Sequence, residues 1–200
     1  MILGITGGIA TGKSSVAVMF SDLGAVVVSA DELSRQTVAP DSEVLIALVA
    51  RFGPEILSAD GSLDRPALAD IIFADPAARD DLNRITHPAI ARLADETLHA
   101  LKKAGHQLII YEAPLLFEAG AESRVDQILV VSTDPDIQLD RLVDRDGISR
   151  AAAAARVDTQ MPLVEKISRA DYLVDNSGPV AETAVQVEHV YKELTGLSSK

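Results

Sequence analysis

Gly7-Gly8-Ile9-Ala10-Thr11-Gly12-Lys13-Ser14 decides the fold, because it matches the pattern G-x-x-x-x-G-K-[S/T]. The residue types account for the chemistry. Glycines let the backbone wrap tightly, so that amide hydrogens converge on phosphate oxygens while the following helix presents its positive end to the same anion. Lys13 suits the β- and γ-phosphates, and the Ser14 hydroxyl suits Mg²⁺. The flanks are those the motif requires. An apolar, β-branched run from Ile2 to Thr6 precedes it, and a helical pattern with Val16, Phe20 and Leu23 on one side follows. A glycine-rich turn without a ligand is the bland alternative, and this context argues against it, so nucleotide binding is the expectation.

Working outward, similar apolar runs recur at Ala25 to Ser29, Leu108 to Tyr111, Gln127 to Ser132 and Tyr172 to Val174, and read as buried parallel strands. Helical spacing appears at Ser14 to Leu23, Ser42 to Phe52, Ala78 to Lys103, Pro135 to Arg145 and Pro179 to Leu194. This alternation predicts an α/β sheet wound by right-handed crossovers. Pro40, Pro66, Pro76 and Pro135 stand where helices begin, and Gly24, Gly105 and Gly196 where they end. His87-Pro88 interrupts a helical stretch. Between Ser29 and Leu108 there are only helical and loop-like segments, which predicts a helical insertion. After the fourth strand, Arg141, Arg145, Arg150 and Arg156 crowd around Asp144-Arg145-Asp146-Gly147, and predict a hinged flap.

Composition narrows the function classes. The chain has 200 residues, 48% hydrophobic and 24% charged, which suits an ordinary soluble domain with a full core. Its net charge of −12, from 18 basic and 30 acidic residues, repels nucleic-acid backbones and anionic membranes. With no cysteine there is no disulfide, thiol nucleophile or thiolate metal site, which fits a reducing compartment. Met1-Ile-Leu-Gly-Ile-Thr shows no basic leader, and runs such as Ala25 to Val28 and Ile128 to Val131 fall far short of the roughly 20 residues of a bilayer span. The expectation is a cytoplasmic protein, monomeric or a small homo-oligomer, with no nucleic-acid or membrane partner.

Several side chains are candidates with two readings each. Asp31, just beyond the second strand, suits a general base for an attacking hydroxyl, or caps a helix starting at Glu32. Arg141 and Arg145 share a helix face at i, i+4 and suit a phosphate clamp, or form solvated pairs with Asp140, Asp144 and Asp146. His87 is either a packing residue or part of a site. No His/Asp/Glu set has metal-cage spacing, no G-x-S-x-G elbow occurs, and the N-K-x-D of guanine-nucleotide switches is missing.

These residues coincide with a known pattern. Gly4-Ile-Thr-Gly-Gly-Ile-Ala-Thr-Gly-Lys-Ser14, Ser29-Ala-Asp-Glu-Leu-Ser-Arg35, Ile85-Thr-His-Pro88, Ala113-Pro-Leu-Leu-Phe-Glu118 and Gln138-Leu-Asp-Arg-Leu-Val-Asp-Arg-Asp-Gly147 carry it. Arg156-Val-Asp-Thr-Gln160 and Ala170-Asp-Tyr-Leu-Val-Asp-Asn176 complete it. In these motifs, almost end to end, the chain resembles the dephospho-CoA kinases. The resemblance implies a P-loop nucleotide kinase fold: an α/β domain with a five-stranded parallel sheet flanked by helices. The core is expected at about 1–34, 107–135 and 170–200, with a helical substrate-binding insertion at about 35–106 and a lid at about 138–165.

The implied reaction moves the ATP γ-phosphoryl group to the 3′-hydroxyl of dephospho-CoA, with Mg²⁺. By the same resemblance Asp31 is the base, and Lys13, Arg141 and Arg145 act on the transferred phosphate. Gly8, Ala10, Thr11, Gly12, Lys13, Ser14 and Ser15 hold the nucleotide phosphates, Ser14 holds the metal, and Asn176 lines the adenine pocket. Asp31, Arg35, His87 and Leu115 face dephospho-CoA. The chain departs from the family at Ser29, where aspartate is usual, and at Ala10 and Thr11, where glycine and serine are more frequent. These last two are expected to be mild changes, and Glu112 is given no metal role.

Overall fold

Strand β1 (Ile2–Gly7) is buried along its whole length, and its sequence accordingly shows no polar alternation. It is central. On one side lies β3 (Ile109–Glu112) and beyond it β2 (Val26–Ser29); on the other lie β4 (Gln127–Ser132) and then β5 (Tyr172–Asp175). All pairings are parallel, in the order β2-β3-β1-β4-β5. Strands are laid first to one side of β1 and then to the other, so the order reverses there and the carboxyl ends open onto a crevice. Within the sheet Glu112 stands opposite both Ile5 and Ser29.

The computed structural model describes residues 1–196; the end of the core segment expected at about 170–200 lies outside them. Helix α1 (Lys13–Asp22) follows β1, and α2 (Ala30–Thr37), α3 (Glu43–Phe52), α4 (Arg65–Ala74) and α5 (Pro76–Lys103) lie between β2 and β3. Helices α6 (Pro135–Asp146), α7 (Arg150–Val157) and α8 (Leu163–Ser168) separate β4 from β5, and α9 (Val180–Thr195) ends the described chain. None of these helices is long and apolar enough to cross a membrane.

The chain divides into two compact units, one formed by residues 1–29 with the chain from Leu98 onward, the other by Ala30–Thr97. In the first, Leu3, Ile5, Ile110, Leu129 and Val131 of the sheet pack against Val16 and Phe20 of α1 and Val187 of α9. Each such fully buried side chain contributes roughly 1.5–3 kcal/mol of burial free energy. Helix α1 stops where Gly24, at φ 105, takes a conformation closed to most side chains.

In the second unit Val38, Leu48, Phe52, Ile56, Leu68 and Ala78 form a separate core. Ser42 caps α3 by accepting from Leu45 N at 3.1 Å, and Asp64 caps α4 by accepting from Ala67 N at 3.0 Å. Pro66 and Pro76 therefore stand in first turns as expected, whereas Pro40 opens no helix because α3 starts at its serine cap. The interruption expected at His87-Pro88 does not occur: α5 is one helix with Pro88 inside it. The proline removes only the donor that would reach the Arg84 carbonyl. Asp81 joins α5 to α3 through Arg51 at 2.6 Å, also receives Arg84, and its carboxyl is held below the usual range chiefly by the Arg51 hydrogen bond.

Candidate active site

The phosphate loop leaves the carboxyl end of β1 and folds on itself. Thr11 N–H and Thr11 Oγ1 both donate to the Gly8 carbonyl, at 3.3 and 3.0 Å. Lys13 Nζ donates to the same carbonyl at 2.7 Å and to that of Gly7 at 3.4 Å, so the buried ammonium is tethered to the loop. Gly12 is left-handed at φ 91, and α1 begins immediately after it with no side-chain cap and no acid in its first turn. The first amides of α1 and the positive end of its dipole are thus available to an anion.

Ala10 and Thr11 each have a part in the loop's own structure. Ala10 sits at φ 60, a left-handed conformation costing about 1 kcal/mol for a residue with a Cβ. The departure from glycine at this position is therefore a matter of backbone strain rather than of contact with phosphate. Thr11 is fully buried and its hydroxyl closes the loop, so it too is structural.

Ser14 Oγ donates to Glu112 Oε1 at 2.6 Å. Sequence reasoning gave Glu112 no part, although the signal was present: it is the acid that ends the apolar strand Ile109-Ile-Tyr-Glu112, where β3 runs beside β1. Ser15 is exposed in the same first turn of α1.

Three further side chains hold the loop. The buried Asn176, just after β5, donates from Nδ2 to the Thr11 carbonyl at 2.9 Å, and its Oδ1 accepts from Thr183 Oγ1 at 3.0 Å. A Cβ on Gly12 would lie 2.1 Å from that Nδ2, so the residue must be glycine for approach as well as conformation. Gln138 Nε2 donates to the Ile9 carbonyl at 2.7 Å, and Gln160 Oε1 accepts from Ile9 N–H at 2.8 Å. Neither glutamine was singled out from sequence.

The arginines of α6 and α7 separate into two groups. Arg141 Nη2 donates to the Asn176 carbonyl at 3.0 Å, which sets it beside the loop. Arg145 instead pairs with Asp146 at 2.7 Å, and that hydrogen bond is the main reason its guanidinium holds its proton more tightly than usual. Asp146 also receives Arg156, and Arg150 pairs with Asp136 and Asp140. The carboxyl of Asp146 is lowered, chiefly by its hydrogen bond from Arg145.

After β3, Leu115 is half exposed in a turn whose Pro114 carbonyl accepts from Thr6 Oγ1 at 3.1 Å and from Lys166 Nζ at 3.0 Å. The fully buried Lys166 also pairs with Glu118 Oε1 at 2.8 Å, and Met161 N donates to that oxygen at 3.1 Å. Desolvation, the largest effect on Glu118, raises its pKa, but the hydrogen bonds and the charge of Lys166 together outweigh it and the net shift is downward.

The remaining candidates belong to the second unit. Asp31 is exposed in the first turn of α2, which starts at Ala30 rather than at Glu32, so it stands inside the helix and not at its cap. Arg35 pairs with Glu32 at 3.7 Å. His87 lines a cavity of about 220 Å³ with Ser34, Arg65, Leu68, Asn83 and Thr86.

The comparisons agree. A family profile described as dephospho-CoA kinase matches residues 1–182. A dephospho-CoA kinase of Syntrophotalea carbinolica is 54% identical over 187 residues, covering 94% of this chain and 89% of the relative. One from Geobacter metallireducens is 48% identical over 96% of each chain. The solved dephospho-CoA kinase from Campylobacter jejuni superposes with a TM-score of 0.76 at 28% identity, covering 98% of this chain and 97% of its own. With its phosphate loop on a central parallel strand and this match across most of its length, the chain belongs to the dephospho-CoA kinase family.

Proposed function

We propose that the chain transfers the γ-phosphoryl group of ATP to the 3′-hydroxyl of dephospho-CoA in the cytoplasm, with residue roles that follow from the site. In this reaction the bond from the γ-phosphorus to the β,γ-bridging oxygen breaks and a bond to the ribose oxygen forms. ADP leaves, and the hydroxyl proton passes to Asp31. Little covalent work falls to the protein; placement and charge supply most of the acceleration.

Lys13 and the loop residues Gly8, Ala10, Thr11, Gly12, Ser14 and Ser15 hold the phosphates, and Arg141, anchored beside the loop by Asn176, neutralises charge on the group in flight. Arg145 reaches the phosphate only by leaving Asp146, which assigns it to a closed form of α6–α8, the proposed lid. Asn176, committed to Thr11 and Thr183, supports the nucleotide site more through the loop than by touching adenine. The cavity at His87, in the unit that also carries Arg35, is assigned to the acceptor.

The residues also fit Mg²⁺. Ser14 Oγ and Glu112 Oε1 present hard oxygen donors side by side, and Mg²⁺ takes one or two protein oxygens together with substrate phosphates rather than an all-protein cage. When bound, the ion offsets charge on the phosphate oxygens.

The observation that carries this reading is the Lys13, Ser14 and Glu112 cluster at the carboxyl ends of β1 and β3. The test is mass spectrometry of the purified protein with Mg-ATP and dephospho-CoA. A product one phosphate heavier, blocked at the 3′ position, is expected. ATP binding without that product would mean that the acceptor is another hydroxyl.

A further inference from the structure

Ile9 lies in the middle of the phosphate loop, and both of its backbone polar groups are taken by side chains from elsewhere in the chain. Its N–H donates to Gln160 Oε1 at 2.8 Å, and its carbonyl accepts from Gln138 Nε2 at 2.7 Å. One glutamine lies early in α6, the other just beyond α7. Each is itself fixed. Gln138 is buried, and a Cβ on Gly8 would stand 2.6 Å from its Nε2, so the second glycine of the loop leaves room for this amide. Gln160 precedes Met161, whose N–H is held by Glu118, and Glu118 is paired with the fully buried Lys166.

We propose that Gln138 and Gln160 are positioning residues for the phosphoryl transfer, gripping Ile9 from both sides so that α6–α8 set the direction of the phosphate-loop amides. The inference rests on the kinase reading above. An isolated bond to one backbone group leaves the neighbouring peptides free to tilt; a donor and an acceptor on the same residue, delivered from two segments, remove that freedom. Amides aimed in advance at the developing charge are worth more than amides that must turn towards it. The same grip makes the loop sense where α6–α8 stand.

The test compares Gln138→Leu, Gln160→Leu and the double variant of the full chain. Each single change should lower kcat about tenfold or more, the scale of a small misplacement, with the ATP Kd shifted less than about threefold. Because the pair acts as a unit, the double variant should fall no more than about threefold below the worse single variant. Amide exchange at Ile9, read by NMR without nucleotide, should speed up in Gln160→Leu and return to slow exchange in Gln160→Glu, which keeps an acceptor for the N–H. Gln138→Glu, which turns an acceptor towards the Ile9 carbonyl, should lose as much activity as Gln138→Leu. Wild-type kcat in the single variants, losses that multiply in the double, or unchanged Ile9 exchange would each overturn the proposal. A wild-type protein that makes no coenzyme A would overturn the kinase reading instead, and the exchange measurement would still test the grip.

Discussion

Ser14 Oγ and Glu112 Oε1 lie 2.6 Å apart, joining the first turn of α1 to the last residue of β3 across 98 positions of sequence. The bond sets a hydroxyl and a carboxylate at the mouth of the phosphate loop. Glu112→Gln keeps the shape but removes the charge that a divalent cation needs. The concentration of Mg²⁺ giving half-maximal velocity should rise about tenfold or more, the scale seen when a metal-site partner is lost. A Mg²⁺ titration of initial rates checks this, and an unchanged midpoint would remove Glu112 from the metal site.

Lys13→Ala takes away the ammonium tethered to Gly8. It removes a brace of the loop and, on the proposed reading, a phosphate ligand, so binding and turnover should fall together. A loss of about 10²-fold or more in kcat is expected from removing one such donor, with ATP binding weakened in calorimetry. Tight ATP binding by this variant would contradict the role.

Asp31→Asn tests the proposed base in isolation. The substitution keeps the shape of an exposed side chain on α2, so ATP affinity should hold while kcat falls about 10²-fold or more. Turnover at the wild-type level would mean that the hydroxyl needs no acceptor at this residue.

Lys166 and Glu118 make the clearest stability prediction. Glu118→Gln strips a fully buried ammonium of its counter-charge and should cost about 3 kcal/mol in denaturant unfolding. Lys166→Met with Glu118→Leu, which removes both charges, should cost less than either single change. The pH dependence follows from the lowered pKa of Glu118. A carboxyl depressed in the folded state adds stability above its unfolded pKa and loses it as pH falls through the folded value. The gap between wild type and Glu118→Gln should therefore be flat near neutrality and close only below the ordinary glutamate range.

The strands were legible because a parallel sheet covered on both faces needs uninterrupted apolar runs, and each of the five runs coincides with a strand to within one residue at either end. The loop was legible because wrapping a phosphate restricts residue types at fixed spacing. What escaped was long-range. Glu112 meets Ser14, Gln138 and Gln160 meet Ile9, and Lys166 meets Glu118 only once the chain is folded, and single polar residues carry no period to announce such partners. Helix α8, at six residues, is too short for a helical period to show. The proline within α5 misled because a local rule was applied where the rest of the helix overrides it.

The strand order also bears on how the protein is made. Among the described residues strand β2 pairs only with β3, and β1 only with β3 and β4, so during synthesis the first two strands emerge with no neighbour to bond. Residues 30–97 leave the ribosome next and carry a core of their own. The nascent chain must therefore keep two apolar strands from straying until Ile109 has been added. Pairings this distant in sequence are slow to form and leave exposed edges prone to aggregation. For this protein, the first strand made must wait for the third before it finds a partner.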